Sequence, residues 1–173
     1  YTKYAKRCER PMERDILRVL VEWNPWWQGR EPPPELLPPY RRPILEELEK
    51  ALEVGRICLL LGPRRVGKTT LLHQFAVGLL ERGVPPERVL LLSLDHPSLS
   101  GVSLSNVISA YKTHVLKAER GYFLLLDEVH YAENWARWLK VLFDRREPEA
   151  IVATGSAAAM LREEDDPLTG RVL

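Results

Sequence analysis

The stretch from residue 62 to residue 70 contains the residues whose types and spacing most clearly indicate chemistry. Gly62, Gly67, Lys68 and Thr69 occupy the fixed positions of the pattern G-x-x-x-x-G-K-[ST]. Glycines let the backbone turn so that its N–H groups face an anion, and the N-terminus of a following helix adds positive charge. The lysine can reach the β- and γ-phosphates of a nucleotide, and the threonine hydroxyl can coordinate Mg²⁺. We therefore predict a site for ATP and Mg²⁺.

The whole loop is expected to contribute to this site, with Lys68 also taking part in catalysis. The predicted nucleotide-binding residues are Gly62, Pro63, Arg64, Arg65, Val66, Gly67, Lys68, Thr69 and Thr70. The alternative interpretation is a glycine turn between a strand and a helix that happens to carry a lysine. An apolar run before the loop and a helical pattern after it disfavour that alternative.

A second signal is the apolar run 123–126, which ends in Asp127 and Glu128. In an open parallel sheet, ligands lie at the carboxyl ends of the strands, which would place these acids beside the phosphates. Asp127 is predicted to hold Mg²⁺ together with Thr69, and Glu128 to polarise the water that attacks the γ-phosphate. The alternative is a strand that ends in two solvated acids.

A third apolar run, residues 151–153, leads into the small residues of 154–156. Thr154 or Ser156 is expected to hydrogen-bond the attacking water or the γ-phosphate, and Ser156 is the catalytic candidate. The alternative is a strand-to-helix turn in which Ser156 caps the next helix. Arg171 is a candidate arginine finger, acting within this chain or on a neighbouring subunit.

Other residues are weaker candidates for the same site. Asp95 is expected in the layer behind the site, and His96 is expected on the surface. Residues 40–42, with the sequence Tyr-Arg-Arg, are predicted to lie over the base or the ribose. Arg64 and Arg65 are at the tip of the loop, where solvation is as consistent with the sequence as a phosphate contact.

Apolar periodicity predicts the elements that would position these side chains. The predicted strands cover residues 57–61, 89–94, 122–126 and 150–154. The predicted helices cover residues 12–21, 44–52, 69–82, 104–117 and 135–143, and a further helix begins at 157–161. Gly55 is expected to end the second helix. Because apolar strands alternate with helices, the predicted fold class is α/β, with a parallel sheet covered on both faces.

Residues 1–43 precede this alternating region and are predicted to form a helix and a proline-rich arm. Trp23, Trp26 and Trp27 lie between the helix and the arm. They are expected either to pin the arm to the domain surface or to form a docking patch for a partner. The predicted domains are therefore 1–43, the helix and arm, and 44–173, the core.

Composition sets broad limits on the class of protein. The length of 173 residues suits one domain. The net charge of +1 gives no overall electrostatic field that would attract nucleic acid or a membrane. Cys8 and Cys58 lack the spacing of a redox pair or a zinc site. No apolar run approaches the roughly 20 residues needed to cross a bilayer. We expect a cytoplasmic protein. Because the sequence starts without Met, we also expect it to be a fragment of a longer one.

Several segments taken together resemble a known family. They are the loop GPRRVGKTT, the run FLLLDEVH with the following ENWARWLK, the run ATGSAAAML, the final LTGRVL, and the earlier NPWW and RRPILEEL. This combination is similar to the prokaryotic predicted ATPases of the AAA+ superfamily. In that group a domain of this kind is typically followed by an uncharacterised C-terminal domain.

The resemblance implies a three-layer P-loop NTPase core of the ASCE type with a mostly parallel sheet. It assigns phosphate and Mg²⁺ binding to Lys68 and Thr69, Mg²⁺ binding to Asp127, the catalytic base to Glu128 and the sensor region to residues 154–156. The extra strand between the loop and Asp127 supports the ASCE type independently. No helical lid and no C-terminal domain follow in this sequence, so the core is expected to be truncated before both.

The predicted function is ATP binding with Mg²⁺-dependent hydrolysis, which would make the protein an ATPase acting on an acid anhydride. The alternative is a nucleotide-dependent switch that regulates binding to a protein or DNA with little turnover. A small-molecule kinase is disfavoured by Glu128. ATP and ADP are the expected ligands, a homo-oligomer and a protein or DNA client are left open, and no membrane partner is expected.

Overall fold

The computed structural model describes residues 11–40, 42–53 and 57–156. Its α-helices are α1 (Pro11–Trp23), α2 (Ile44–Glu53), α3 (Lys68–Glu81), α4 (Leu104–Tyr111) and α5 (Trp135–Asp144). Its strands are β1 (Ile57–Leu61), β2 (Val89–Ser93), β3 (Tyr122–Asp127) and β4 (Pro148–Gly155). Each predicted strand is confirmed, with small shifts at the ends.

The four strands form one parallel sheet in the order β1-β4-β3-β2. β4 therefore lies between β1, which leads into the predicted phosphate loop, and β3, which ends at Asp127. Because the strands run the same way, their carboxyl ends lie at one edge of the sheet, where ligands bind in folds of this class. This arrangement confirms the predicted α/β fold class with a parallel sheet of the P-loop NTPase type.

Both faces of the sheet are covered at β2. Every residue of β2 is buried, and successive side chains of a strand point to opposite faces. α3 packs against β2 and β3, whereas α1 packs against β2 and α4. Burial on both faces explains why the strands have continuous apolar sequences rather than alternating ones.

The segment after α1 is pinned to β2, which is one of the two edge strands of this sheet. Trp26 and Trp27 are buried, and each indole Nε1 donates a hydrogen bond of 3.1 Å to the carbonyl of Val89. The buried Asn24 donates from Nδ2 to the Leu91 carbonyl and accepts from the Leu91 N–H, each at 2.7 Å. The Asn24 amide thus fills the place of a neighbouring strand at Leu91. The pinning interpretation of the tryptophans is confirmed.

One detail of the predicted helices is wrong. The helix predicted over 104–117 is α-helical only as far as Tyr111, and Lys112–Leu116 form a π-helical turn. Apolar spacing over so few residues does not distinguish the α-helical period from the π-helical one.

Some expectations fall outside the described residues, namely Arg41, the helix stop at Gly55, the helix beginning at 157–161 and Arg171. The apolar side of α1 belongs to the same hydrophobic core as the sheet, and the division of the chain at residue 43 stays a prediction. Within the described ranges, no helix has the length and apolar character needed to cross a membrane.

Candidate functional site

The loop between β1 and α3 has the tight turn that its glycines predict. Gly67 immediately precedes α3 with φ 86°, in the left-handed region, and its carbonyl accepts from Leu71 N at 3.0 Å. Gly62 N donates to the carbonyl of Gly155 at 3.4 Å, so the loop begins beside the end of β4. A residue with a Cβ is strained at that φ, which is why glycine is needed at Gly67.

The ammonium group of Lys68 points back into the loop. Its Nζ donates to the carbonyls of Gly62 and Pro63, each at 3.0 Å. The same nitrogen lies 3.8 Å from Glu128 Oε1, and only 9% of the Lys68 side chain is exposed. The lysine therefore stands between the loop backbone and the acid that follows β3.

Asp127 and Thr69 are in direct contact, although they are far apart in the sequence. Thr69, in the first turn of α3, donates from Oγ1 to Asp127 Oδ2 at 2.5 Å. Asp127 is the last residue of β3 and is 3% exposed. A hydroxyl from the loop helix and a carboxylate from β3 therefore face the same point, as the sequence predicted for a pair of Mg²⁺ ligands.

Thr154 of β4 joins the two acids. Its hydroxyl donates to Asp127 Oδ1 and accepts from the backbone N–H of Glu128 at 3.1 Å. Thr154 is fully buried, so this hydroxyl has no route to solvent. Of the two hydroxyls that the sequence left open as a sensor, Thr154 is engaged by the acids, and half-buried Ser156 follows β4 beside the start of the loop.

The other loop residues differ in exposure. Pro63, Arg64, Arg65 and Val66 are exposed at the tip, and Thr70 is half-buried in the first turn of α3. Arg64 Nη2 donates to the Tyr131 hydroxyl at 3.0 Å, and Arg65 has a left-handed φ of 65°. The tip thus presents two exposed arginines.

The weaker candidates differ in their exposure and in the groups that they contact. Asp95 is exposed and accepts from Ser93 Oγ at 2.6 Å rather than contacting the acids. Tyr40 is 67% exposed. Arg42 reaches the loop, where its Nη1 donates to the Val66 carbonyl at 2.5 Å. His96, expected on the surface, accepts from the backbone N–H two residues later and caps a short turn.

Two histidines near the site were missed by sequence reasoning. His73 is buried, and its Nδ1 lies 2.9 Å from the Thr69 carbonyl. Burial lowers the pKa of His73, while the Thr69 contact and the charge of Asp127 act in the opposite direction. His130 lies 3.5 Å from Glu128. Its spacing two residues after the acid pair was the available signal, but a histidine in that place has no special meaning without the turn geometry.

The donor set fits Mg²⁺ held together with a nucleotide. Mg²⁺ prefers oxygen ligands and usually takes one or two carboxylates, with phosphates and waters completing its shell. Thr69 and Asp127 supply a hydroxyl and a carboxylate 2.5 Å apart. Across the described part of the chain there is no group of three or more His, Cys, Asp or Glu placed to hold a metal.

A parallel α/β sheet, a phosphate-type loop before α3 and acids at the end of β3 define a nucleotide-binding domain of the P-loop class. A family model described as an AAA domain matches residues 54–173, and the chain belongs to that family. It is also 37% identical over 127 residues to an uncharacterized protein of Methanocaldococcus jannaschii. The matched region covers 71% of this chain and 26% of that protein, so the chain spans about a quarter of the relative.

Proposed function

We propose that this AAA domain binds ATP together with Mg²⁺ and hydrolyses it. The observation that carries the proposal is the 2.5 Å contact of Thr69 with Asp127, beside the 3.8 Å approach of Lys68 to Glu128. A hydroxyl, a carboxylate, an ammonium and a second carboxylate thus converge at the carboxyl edge of the sheet. This is the set that phosphoryl transfer to water requires.

Binding is proposed to exchange the partners of Lys68. The ammonium leaves the carbonyls of Gly62 and Pro63 and donates to phosphate oxygens, which carry a full negative charge and accept more strongly. Thr69 and Asp127 would hold Mg²⁺, which when bound neutralises charge on the phosphates. Thr154 keeps the Asp127 carboxylate turned toward Thr69.

Glu128 is proposed as the general base. The water oxygen forms a bond to the γ-phosphorus, the bond from that phosphorus to the ADP oxygen breaks, and the water proton passes to the Glu128 carboxylate. The products are ADP and phosphate. Lys68 stabilises the negative charge on the transferred group.

Ser156 and Arg171 complete the proposed site. Ser156 is proposed to contact the attacking water or the γ-phosphate, because the Thr154 hydroxyl is already hydrogen-bonded to the Asp127 carboxylate and to the backbone N–H of Glu128. Arg171 is proposed as an arginine finger, within the chain or from a second copy. Such an arginine is worth about 10³–10⁵ in rate, so turnover is slow wherever it is out of place.

We propose that in the whole protein a C-terminal domain follows the ATPase core, as in the prokaryotic ATPases that this sequence resembles. Hydrolysis would then serve a protein or DNA client in the cytoplasm. An ATPase assay with and without DNA distinguishes these clients, since stimulation by DNA supports a nucleic-acid partner.

Lys68→Ala tests nucleotide binding. We expect ATP affinity, measured by calorimetry with Mg²⁺, to fall about 100-fold, because a charge-assisted contact to the phosphates is lost. Lys50→Ala, at an exposed lysine of α2, is the matched control and should bind as the parent does. Parent-like affinity in Lys68→Ala would remove the basis of the proposal.

Glu128→Gln tests hydrolysis separately from binding. We expect phosphate release to fall about 10²–10⁴-fold while ATP affinity stays within a few-fold, because the amide cannot take the proton. Glu133→Gln, at an exposed glutamate nearby, should release phosphate at the parent rate. If the parent itself binds ATP tightly and releases no phosphate over many hours, the domain is a nucleotide-dependent switch and the hydrolysis proposal is wrong.

A further inference from the structure

Two buried polar atoms beside the acid pair lack hydrogen-bond partners within the described ranges. They are Glu128 Oε2 and His130 Nδ1. Buried polar atoms are nearly always paired, and leaving one unpaired is costly. These two atoms are 3.5 Å apart, slightly longer than a hydrogen bond, so each is the natural partner of the other.

The backbone takes an unusual conformation to bring them together. Glu128 has φ 50° and ψ 48°, in the left-handed region, although it is not a glycine. A short helical turn, Val129–Tyr131, follows, and Tyr131 N donates back to the Glu128 carbonyl at 3.1 Å. Residues held in strained conformations concentrate at functional sites. The turn reverses the chain so that His130 faces the Glu128 side chain.

The two carboxylate oxygens of Glu128 face different cationic or donor groups. Oε1 lies 3.8 Å from Lys68 Nζ, on the side of the phosphate loop. Oε2 lies 3.5 Å from His130 Nδ1, on the side of the turn. The carboxylate is therefore oriented from both ends, and one oxygen is reserved for the phosphate side.

The imidazole also lies against a second ring, which contacts the phosphate loop. The His130 and Tyr131 rings lie with centroids 4.7 Å apart. The Tyr131 hydroxyl accepts from Arg64 at the loop tip at 3.0 Å. The ring that faces Glu128 is thus supported by a residue that also touches the loop.

We propose that His130 is a positioning residue for Glu128. An Nδ1–H of His130 donates to Oε2, which turns Oε1 toward Lys68 and the place of the attacking water. His130 acts through Glu128 and does not touch the substrate. The inference rests on the proposed hydrolysis and assigns a second residue to its base.

Steady-state kinetics test this role with two variants. We expect His130→Ala to lower kcat about 10-fold or more with KM for ATP within about 3-fold, since a misoriented base loses rate but not binding. His130→Asn places an amide donor near the position of Nδ1 and should recover most of that rate. The matched control is His114→Asn, because His114 forms a similarly buried pair with Glu13 at 3.2 Å, away from the site. It should turn over at the parent rate.

A double variant separates positioning from general damage. In the Glu128→Gln background, His130→Ala should lower the residual rate by no more than about 2-fold, because the effects of substituting two residues that act as a unit are not additive. An equal loss in both backgrounds, or parallel losses of kcat and ATP affinity, would overturn the proposal.

Nitrogen-15 spectra of the histidines give a readout that does not need turnover. The sequence has 4 histidines, and the signals lost in His130→Asn identify His130. We expect hydrogen on Nδ1 of His130 with Mg²⁺ and ADP present, and a tautomer with hydrogen on Nε2 alone would overturn the proposal. If the parent hydrolyses ATP and Glu128→Gln does not, while the His130 results are negative, only this inference fails. If the parent binds ATP without turnover, the proposed hydrolysis fails and the tautomer still decides the role of His130.

Discussion

Gly67 carries two constraints of different physical origin. Its φ of 86° is strained for any residue with a Cβ. A Cβ at this position would also lie 2.6 Å from Arg42 Nη2. Because the guanidinium is the far end of a flexible side chain, it can move aside, so the backbone conformation is the stronger constraint on folding. The contact matters for the loop, since the same guanidinium donates to Val66 at 2.5 Å.

Gly67→Ala is therefore expected to affect binding more than stability. We expect the free energy of unfolding, from urea titration, to fall about 1–2 kcal/mol, and ATP affinity to fall about 10-fold or more as the loop relaxes from its left-handed turn. Gly83→Ala is the control, because Gly83 has φ 85° and open space around its Cβ position. It should lose similar stability and bind ATP as the parent does. Equal ATP affinity in the two variants would contradict this account.

At the scale of elements, side chains hydrogen-bond backbone groups of β2 that no strand of the sheet pairs. Asn24 satisfies both backbone groups of Leu91, and the Trp26 and Trp27 indoles satisfy the Val89 carbonyl. The edge of a sheet otherwise offers these groups to other chains. The segment after α1 thus protects β2 as well as contributing apolar surface.

Asn24→Ala should destabilise the whole domain. It leaves the Leu91 N–H and carbonyl buried without their partners, at about 1–3 kcal/mol for each group, so we expect a loss of about 2–6 kcal/mol in the free energy of unfolding. Asn106→Ala, at an exposed position of α4, should change stability by no more than about 0.5 kcal/mol. Denaturant unfolding followed by circular dichroism measures both. A loss below about 1 kcal/mol in Asn24→Ala would show that water replaces the amide.

At the scale of the whole molecule, buried His73 links folding to pH. Burial lowers the pKa of His73 in the folded protein from the ordinary value of 6.5. As the pH falls below 6.5, the unfolded chain binds a proton that the folded chain does not, so the free energy of unfolding decreases. The contribution of His73 to stability is fully present above its pKa in the unfolded chain. Below that pH the free energy of unfolding changes by no more than about 1.4 kcal/mol per pH unit, which is the limit for one proton.

His73→Gln should flatten this dependence. We expect the parent to lose more stability than the variant when the pH is lowered through the region below 6.5, because glutamine does not titrate. Urea midpoints at several pH values give the comparison, and other titrating groups cancel between the two proteins. Identical pH profiles would mean that His73 is not protonated differently in the two states.

The sequence predicted what depends on neighbouring residues along the chain. The strands, the loop that precedes Lys68 and the pair at Asp127 follow from apolar runs and fixed spacing, and β2 appears where the run 89–94 predicted it. These features are local, so periodicity and turn chemistry identify them. That Thr69 and Asp127 lie close together was predicted from the phosphate-loop pattern combined with a parallel sheet, which brings the ends of β1 and β3 to one edge.

What the sequence did not predict depends on the tertiary fold. Thr154 binds Asp127 because β4 lies next to β3, and that order is a property of the sheet. Asn24 pairs with Leu91 across 67 positions of the chain. The left-handed conformation of Glu128 has no marker in the sequence, since a glycine is the usual signal for that conformation and a glutamate stands at this position.

The central position of β4 has a consequence for the protein during its synthesis. The chain is made from its N-terminus, so the loop after β1 and the acids after β3 emerge before β4 does. β4 separates the strands of these two halves and supplies Thr154, which holds both acids. In the sheet β1 and β3 each pair with β4 and not with one another, so the loop and the acids are joined through a strand that is complete only once residue 155 has been made. A chain stopped before that residue lacks the strand that joins the two parts of the candidate site.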